Sequence, residues 1–341
     1  MKTELLNETH LFKAAEIIRG GGLLGIPTET VYGLGADGLN PAAVKDIFRA
    51  KGRPQDNPLI LHIWSAGWLE RYCEDVPETA YRLAEKFWPG PLTMIFRRKP
   101  AVPDAVTAGL DTVGMRCPAH PLCRQVIRLA GTPIAAPSGN TSGRPSPTTA
   151  RHMLEDMEGK IPAILDGGPC VVGVESTILD LTVIPPRLLR PGGVTLEQLR
   201  EALGEVAVDS AVTCSLGEGE QPRAPGMKYR HYAPRAPVTV VAGAPEQSAA
   251  YMAAHAGEGD GIICFREYMP LFTGGSGMGP VMDLGPAADK GEQARRVFDA
   301  LRAMDGTGVR RIWTQCPEAD GIGLAVANRL NKAAGFHIVE V

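Results

Sequence analysis

Apolar residues recur at helical spacing from Leu11 to Arg19 (Leu11, Ala14, Ala15, Ile18), and Gly20-Gly21-Gly22 closes that segment. Leu23 to Pro27 then reads as a short buried strand. The same alternation continues. Helices are expected over 41–50, 79–87, 121–129, 148–157 and 196–203. Strands are expected over 59–63, 92–96, 113–116, 134–136, 163–166 and 176–181. Short strands alternating with helices define an α/β domain up to about residue 208. From 209 to 236 the pattern lapses into Gly217, Gly219, Pro222, Pro225, Gly226 and Pro234, the composition of an interdomain connection. A second α/β segment follows over 237–341, with strands at 238–241, 261–265, 311–313 and 337–341 and helices at 292–304 and 324–334.

Composition narrows the classes. Apolar residues make up 44% of the 341, enough for a true core, while 40 Gly and 29 Pro against 6% aromatics imply many tight loops. The net charge of −3 supplies no global attraction for nucleic acid. The seven cysteines form no C-x-x-C pair and have no histidine at zinc-like spacing, so thiols in a reducing compartment are expected. Acidic residues early in the chain and the lack of a long apolar run argue against a secretory leader and a membrane span, so a cytoplasmic location is expected.

Six segments carry polar chemistry beside strand or helix ends. Pro27–Gly35 sets two hydroxyls, a carboxylate and a phenol in a loop just past a strand. Lys51, Arg53 and Asn57 share a loop stiffened by Pro54 and Pro58, suited to phosphate; a solvated basic helix end has the same composition. His62 lies in the strand that follows, where a satisfied core histidine is the alternative. Arg116 interrupts an apolar strand, costly unless it meets an anion or its stem reaches water. Ala136 to Thr148 is rich in Ser, Gly and Asn and ends at a helix start, either a phosphate cradle or a long cap built on Ser146 or Thr148. Ser176 opens a strand, and Arg190 precedes Pro-Gly. The connection between the domains holds Lys228, His231 and Tyr232, either a solvated spacer or a cover for a ligand. There is no G-x-x-x-x-G-K-[ST], G-x-S-x-G or H-E-x-x-H motif. Gly321-Ile322-Gly323 is a weak dinucleotide signal, because Val326 occupies the third glycine position.

Taken in order, PTETVYGLG, KGRPQDNPLILHI, TVGMRCPAHP, APSGNTSGRPSPT, GVESTI, LRPG and PGMKYRHYAP resemble the threonylcarbamoyl-AMP synthase family, the YrdC-like proteins, in its long two-domain form. GIGLAVANRLNKAAG resembles that form's extra domain. Gly139 stands where the family more often has Ala, and Met115 where a smaller residue is usual. The fold class implied is α/β: a twisted mixed sheet around a deep basic cavity in residues 1–208, a connecting lid over 209–236, and a smaller Rossmann-like α/β domain over 237–341. The resemblance also implies roles. Thr30, His62, Arg116, Ala136 and Ser176 would surround L-threonine, with Arg116 on its carboxylate. Arg53, Asn57, Thr112, Ser138, Ser146 and Arg190 would hold ATP, His231 and Tyr232 (with Lys228) would cover it, and Lys51 and Arg53 would serve catalysis.

The activity so implied joins L-threonine, bicarbonate or carbon dioxide and ATP into threonylcarbamoyl-adenylate, with Mg2+ carried on the triphosphate. The product would feed a separate tRNA threonylcarbamoyl transferase complex that modifies tRNA next to the anticodon. Direct binding of tRNA or double-stranded RNA is the competing expectation for the same loops. A carbamoyl-phosphate-using transferase would need zinc-finger and acylphosphatase segments that this sequence lacks.

Overall fold

A computed structural model describes residues 2–214, 224–225, 231–272 and 279–341. The chain divides into two compact units. The first comprises 1–142, 147–171 and 175–228; the second comprises 143–146, 172–174 and 229–341.

The first unit is built on eleven strands: β1 (Glu4–Leu6), β2 (Leu24–Ile26), β3 (Gly33–Asp37), β4 (Ile60–His62), β5 (Leu92–Arg97), β6 (Thr112–Arg116), β7 (Ile134–Ala135), β8 (Ala163–Leu165), β9 (Thr177–Asp180), β10 (Arg187–Arg190) and β11 (Ala207–Val208). Their order is β1-β8-β2-β3-β7-β4-β6-β5-β9-β10-β11. The sheet is mixed: β4 runs parallel to β6 and β5 parallel to β9, while β3, β5 and β10 reverse direction against β2, β6 and β9. β3 corrects the reading of Pro27–Gly35 as loop throughout. Two glycines and no β-branched residue hide the strand, yet those glycines let it pass. A Cβ on Gly35 would lie 2.9 Å from Ile134 Cγ2, and one on Gly33 3.3 Å from the Ala136 Cβ. β1 carries no sequence signal beyond two adjacent leucines.

The two faces of this sheet bury separate apolar sets. Leu34, Ala36, Leu61, Met94, Val113 and Met115 pack beneath Val44, Ile47 and Phe48. On the other side Leu24, Ile26, Ile134 and Leu165 meet Ala14, Ala15 and Ile18 of the first helix and Cys123, Val126 and Ile127 of another. Alternate residues of one strand therefore serve opposite cores, and each fully buried Leu or Ile contributes about 1.5–3 kcal/mol.

One helix matters most for the site. Asn40 caps Pro41–Lys51 by accepting from the Ala42 and Ala43 N–H groups, and Pro41 occupies its first turn. Ala43, Val44, Ile47, Phe48 and Lys51 share its buried face. Gly52, at φ 62°, ends it in the left-handed conformation.

The second unit has a five-stranded, all-parallel sheet of β12 (Val238–Ala242), β13 (Asp260–Cys264), β14 (Val281–Asp283), β15 (Arg311–Gln315) and β16 (Ile338–Glu340), in the order β14-β13-β15-β12-β16. Helices Pro245–His255, Lys290–Asp305 and Gly323–Ala333 connect it. Among the described residues no helix is long and apolar enough to cross a membrane.

Candidate functional site

Register, more than loop composition, assembles the site. His62 at the end of β4 lies opposite Arg116 of β6, and Arg116 lies opposite Thr93 of β5. Directly paired residues face the same side of a sheet. Thr93 Oγ1 is 2.8 Å from Ser176 Oγ, just ahead of β9. From β10, Arg190 donates to Ser176 O through Nε at 3.0 Å and Nη2 at 2.9 Å, and to Ser176 Oγ at 3.1 Å. His62, Arg116, Thr93, Ser176 and Arg190 thus form one band across five strands, each less than a tenth exposed.

The band continues on the other side of β4. The Ala136 N–H donates to Ile60 O at 3.1 Å, and Ser138 bridges to Gly33. Lys51, the last residue on the buried face of its helix, donates its ammonium to the carbonyls of Ser138 and Asn140. Gly52 turns the chain so that the Arg53 N–H meets Phe48 O at 2.9 Å. Arg53 Nη2 then reaches the carbonyls of Asn57 and Pro58, both at 3.3 Å. Asn57 is 1% exposed and its Oδ1 has no hydrogen-bond partner among the described residues. Thr112 starts β6, opposite Arg97. On the band's own face, Ile60, Ile95 and Ile178 form an apolar floor with Ala224 packed against them; Thr93, Thr112, Gly114 and Pro225 line the hollow beside it.

The threonines of the first loop divide their work. Thr28 Oγ1 accepts from the Thr30 and Val31 N–H groups and donates to Val31 O at 2.6 Å. Its single proton is thereby spent, so in the 2.8 Å contact between the two hydroxyls Thr30 is the donor. Thr28 accordingly holds the turn, and the Thr30 oxygen keeps its lone pairs.

Electrostatics separate two basic groups of the band. Burial first, and the Arg116 guanidinium second, push the His62 ring from its ordinary 6.5 down to about 3. His62 is therefore a neutral imidazole at neutral pH, and its Nδ1 has no hydrogen-bond partner among the described residues. Arg116 is held by Glu29, whose Oε1 lies 2.6 Å from Nη2.

Three predicted residues belong to the second unit. Ser146 is fully buried; its carbonyl accepts from Arg302 Nε at 3.4 Å, while Arg302 Nη2 bonds Pro145 O at 2.6 Å. Tyr232, at φ 65°, stacks tilted on Phe298 at 5.2 Å with Arg329 5.5 Å from its ring centre, and His231 lies 5.6 Å from it. Lys228 falls outside the described residues. The alternative of a capping loop built on Ser146 or Thr148 does not describe the helix start, because the cap is Thr149, which accepts from the His152 N–H. Sequence reading missed Glu29 and Thr93. The signal for Thr93 was a lone hydroxyl inside Leu92–Phe96; for Glu29 it was a carboxylate two residues ahead of the apolar pair Val31-Tyr32.

Gly139 has a packing reason. Met153 Sδ lies 2.7 Å from where a Cβ would be, so the thioether fills the space that an alanine methyl would take.

Comparison with known proteins is consistent across the chain. Residues 16–192 match the family profile of Sua5, YciO and YrdC proteins described as telomere recombination, and residues 194–335 match the threonylcarbamoyl-AMP synthase C-terminal domain. The threonylcarbamoyl-AMP synthase of Pyrococcus abyssi is 47% identical, over 99% of this chain and 98% of its own. That of Bacillus subtilis is 43% identical, over 98% and 95%. The crystal structure of P. abyssi Sua5 complexed with L-threonine superposes with a TM-score of 0.90 at 45% identity, covering 100% of both chains. The chain belongs to the Sua5/YciO/YrdC family of threonylcarbamoyl-AMP synthases.

Proposed function

We propose that this chain condenses L-threonine, bicarbonate-derived carbon dioxide and ATP into threonylcarbamoyl-adenylate and pyrophosphate, for the modification of tRNA next to the anticodon by a downstream transferase complex in the cytoplasm. The observation that carries this reading is the continuous band from Lys51 and Ser138 through His62, Arg116 and Thr93 to Ser176 and Arg190. It sets a cation suited to a carboxylate among cations and hydroxyls suited to phosphates.

Arg116, with Thr30, His62, Ala136 and Ser176 around it, takes threonine; a neutral His62 can accept or donate one hydrogen bond without adding charge. Lys51, Arg53, Asn57, Thr112, Ser138 and Arg190 take ATP, whose magnesium arrives as part of the substrate. The roles of Ser146, His231 and Tyr232 rest on family resemblance alone. The threonine ammonium gives one proton to solvent, the freed lone pair forms an N–C bond to carbon dioxide while a C=O π pair moves onto oxygen, and the nitrogen then loses a second proton to solvent, giving a carbamate. A carbamate oxygen then attacks the α-phosphorus, and the bond to pyrophosphate breaks. No protein nucleophile is needed. Alignment and stabilisation of phosphate charge supply the rate, and exclusion of water protects the carbamate.

Incubating the purified protein with ATP, magnesium, labelled bicarbonate and threonine tests this. The expected result is threonine-dependent pyrophosphate release with label in an adenylate. Salt-dependent RNA binding without any such release would overturn the reading.

A further inference from the structure

Glu29 enters none of the roles above, yet it is 6% exposed and sits between Thr28 and Thr30 on the loop that borders the band. Its Oε1 accepts from Arg116 Nη2 at 2.6 Å, and its Oε2 accepts from the Ala119 N–H at 3.0 Å. Arg116 Nε donates to Gly90 O at 3.3 Å. Three chain segments therefore fix the plane of one guanidinium. Nε and Nη2 are committed, and Nη1 makes no hydrogen bond among the described residues. Guanidinium donors lie in a rigid plane, so fixing two nitrogens aims the third.

We propose, resting on the functional reading above, that Glu29 is a positioning residue that reserves Arg116 for the carboxylate of a zwitterionic amino acid. The physical difficulty it meets is competition. A buried guanidinium in a chamber that also receives a triphosphate is attractive to phosphate, the more highly charged ligand. A carboxylate 2.6 Å from that guanidinium cancels most of its long-range field. A polyanionic phosphate approaching Nη1 then meets Glu29 as a repelling neighbour. An amino acid that places its carboxylate on Nη1 brings its ammonium within a few bonds of the same site, where Glu29 attracts it. Glu29 therefore costs phosphate affinity at this position and spares zwitterion affinity, a discrimination obtained by repelling the wrong ligand.

The test compares wild type, Glu29→Gln and Glu29→Asp in threonine-dependent pyrophosphate release. For Glu29→Gln the KM for threonine is expected to rise tenfold or more, while the KM for ATP moves less than twofold. Inorganic tripolyphosphate, expected to leave the threonine KM of wild type unchanged, should become a competitive inhibitor against threonine in this variant. Glu29→Asp keeps the charge and withdraws it by one methylene; it should recover resistance to tripolyphosphate with a threonine KM between the other two. If Glu29→Gln does not fold, the Glu29→Asp threonine KM and the wild-type inhibition pattern carry the test. Parallel rises in both KM values, or an unchanged threonine KM in a folded variant, overturn the proposal. Wild type without threonine-dependent turnover defeats instead the functional reading on which it stands.

Discussion

The first sheet buries His62, Thr93, Arg116, Ser176 and Arg190 side by side, along one line across neighbouring strands. The second sheet also buries polar residues, but Gln315 and Asp260 are consumed locally. Gln315 accepts from the Phe265 N–H and donates to Pro245 O and Ser248 Oγ. Asp260 Oδ2 accepts from Arg311, from the Trp313 indole at 2.9 Å and from the Gly257 N–H. Exposed charged residues of this unit also pair with close neighbours, as Arg266 does with Asp283 and Glu292. Both regions are α/β, so layer architecture does not separate the sheet that carries the candidate site from the one that does not. What separates them is whether polar groups converge on one place or close on their own neighbours.

The sharpest way to break that contrast is to remove cations from each sheet. Lys51→Ala and Arg190→Ala are expected to slow threonine-dependent pyrophosphate release by roughly 10²–10³-fold, the usual loss when a group facing developing phosphate charge is deleted. Arg266→Ala, in an exposed ion pair, should leave that rate within twofold. Comparable losses in both regions would erase the distinction. Next in size is Asp260→Ala, which strands the Arg311 and Trp313 donors. It should lower unfolding free energy by about 2–3 kcal/mol in a denaturant titration.

Acid stability sharpens the contrast further. His62 titrates at about 3 when folded and near 6.5 when unfolded, so between those values the unfolded chain binds the extra proton. Its contribution is fully present above pH 6.5 and is lost as pH falls toward 3, at about 1.4 kcal/mol per pH unit. His62→Gln should flatten the fall in stability between pH 6.5 and pH 5 by about 2 kcal/mol, read from denaturant midpoints at each pH; an equal slope in wild type and variant would place a different group behind it. Smallest is Gly139→Ala. The Met153 thioether is the far end of a flexible chain and can retreat, so a destabilisation below about 1 kcal/mol is expected in thermal melts.

Much of the fold is legible in the amino-acid sequence. The Pro41–Lys51 helix announces itself by its Asn-Pro start, its apolar spacing and its closing glycine, and Ile60–His62 and Leu92–Arg97 by β-branched and apolar runs. The residue types of the site were legible because loops at strand ends concentrate hydroxyls and cations. Partnership was not. That Glu29 would meet Arg116, 87 residues away, depends on the pairing of β4 with β6 and on the chain entering the helix after Ala119, neither of which leaves a periodic trace. Gly33–Asp37 escaped because the close strand packing that requires glycine also removes the side chains by which a strand is recognised.

The Lys51 ammonium is addressed by counting. It is the eleventh residue of a helix whose start is pinned by Asn40 and whose end is pinned by Gly52. One residue inserted between those pins would swing the side chain by about 100° around the helix axis and shift it about 1.5 Å along it. The length of that helix, more than the identity of its outward-facing residues, therefore sets where the Lys51 ammonium meets the Ser138 and Asn140 carbonyls.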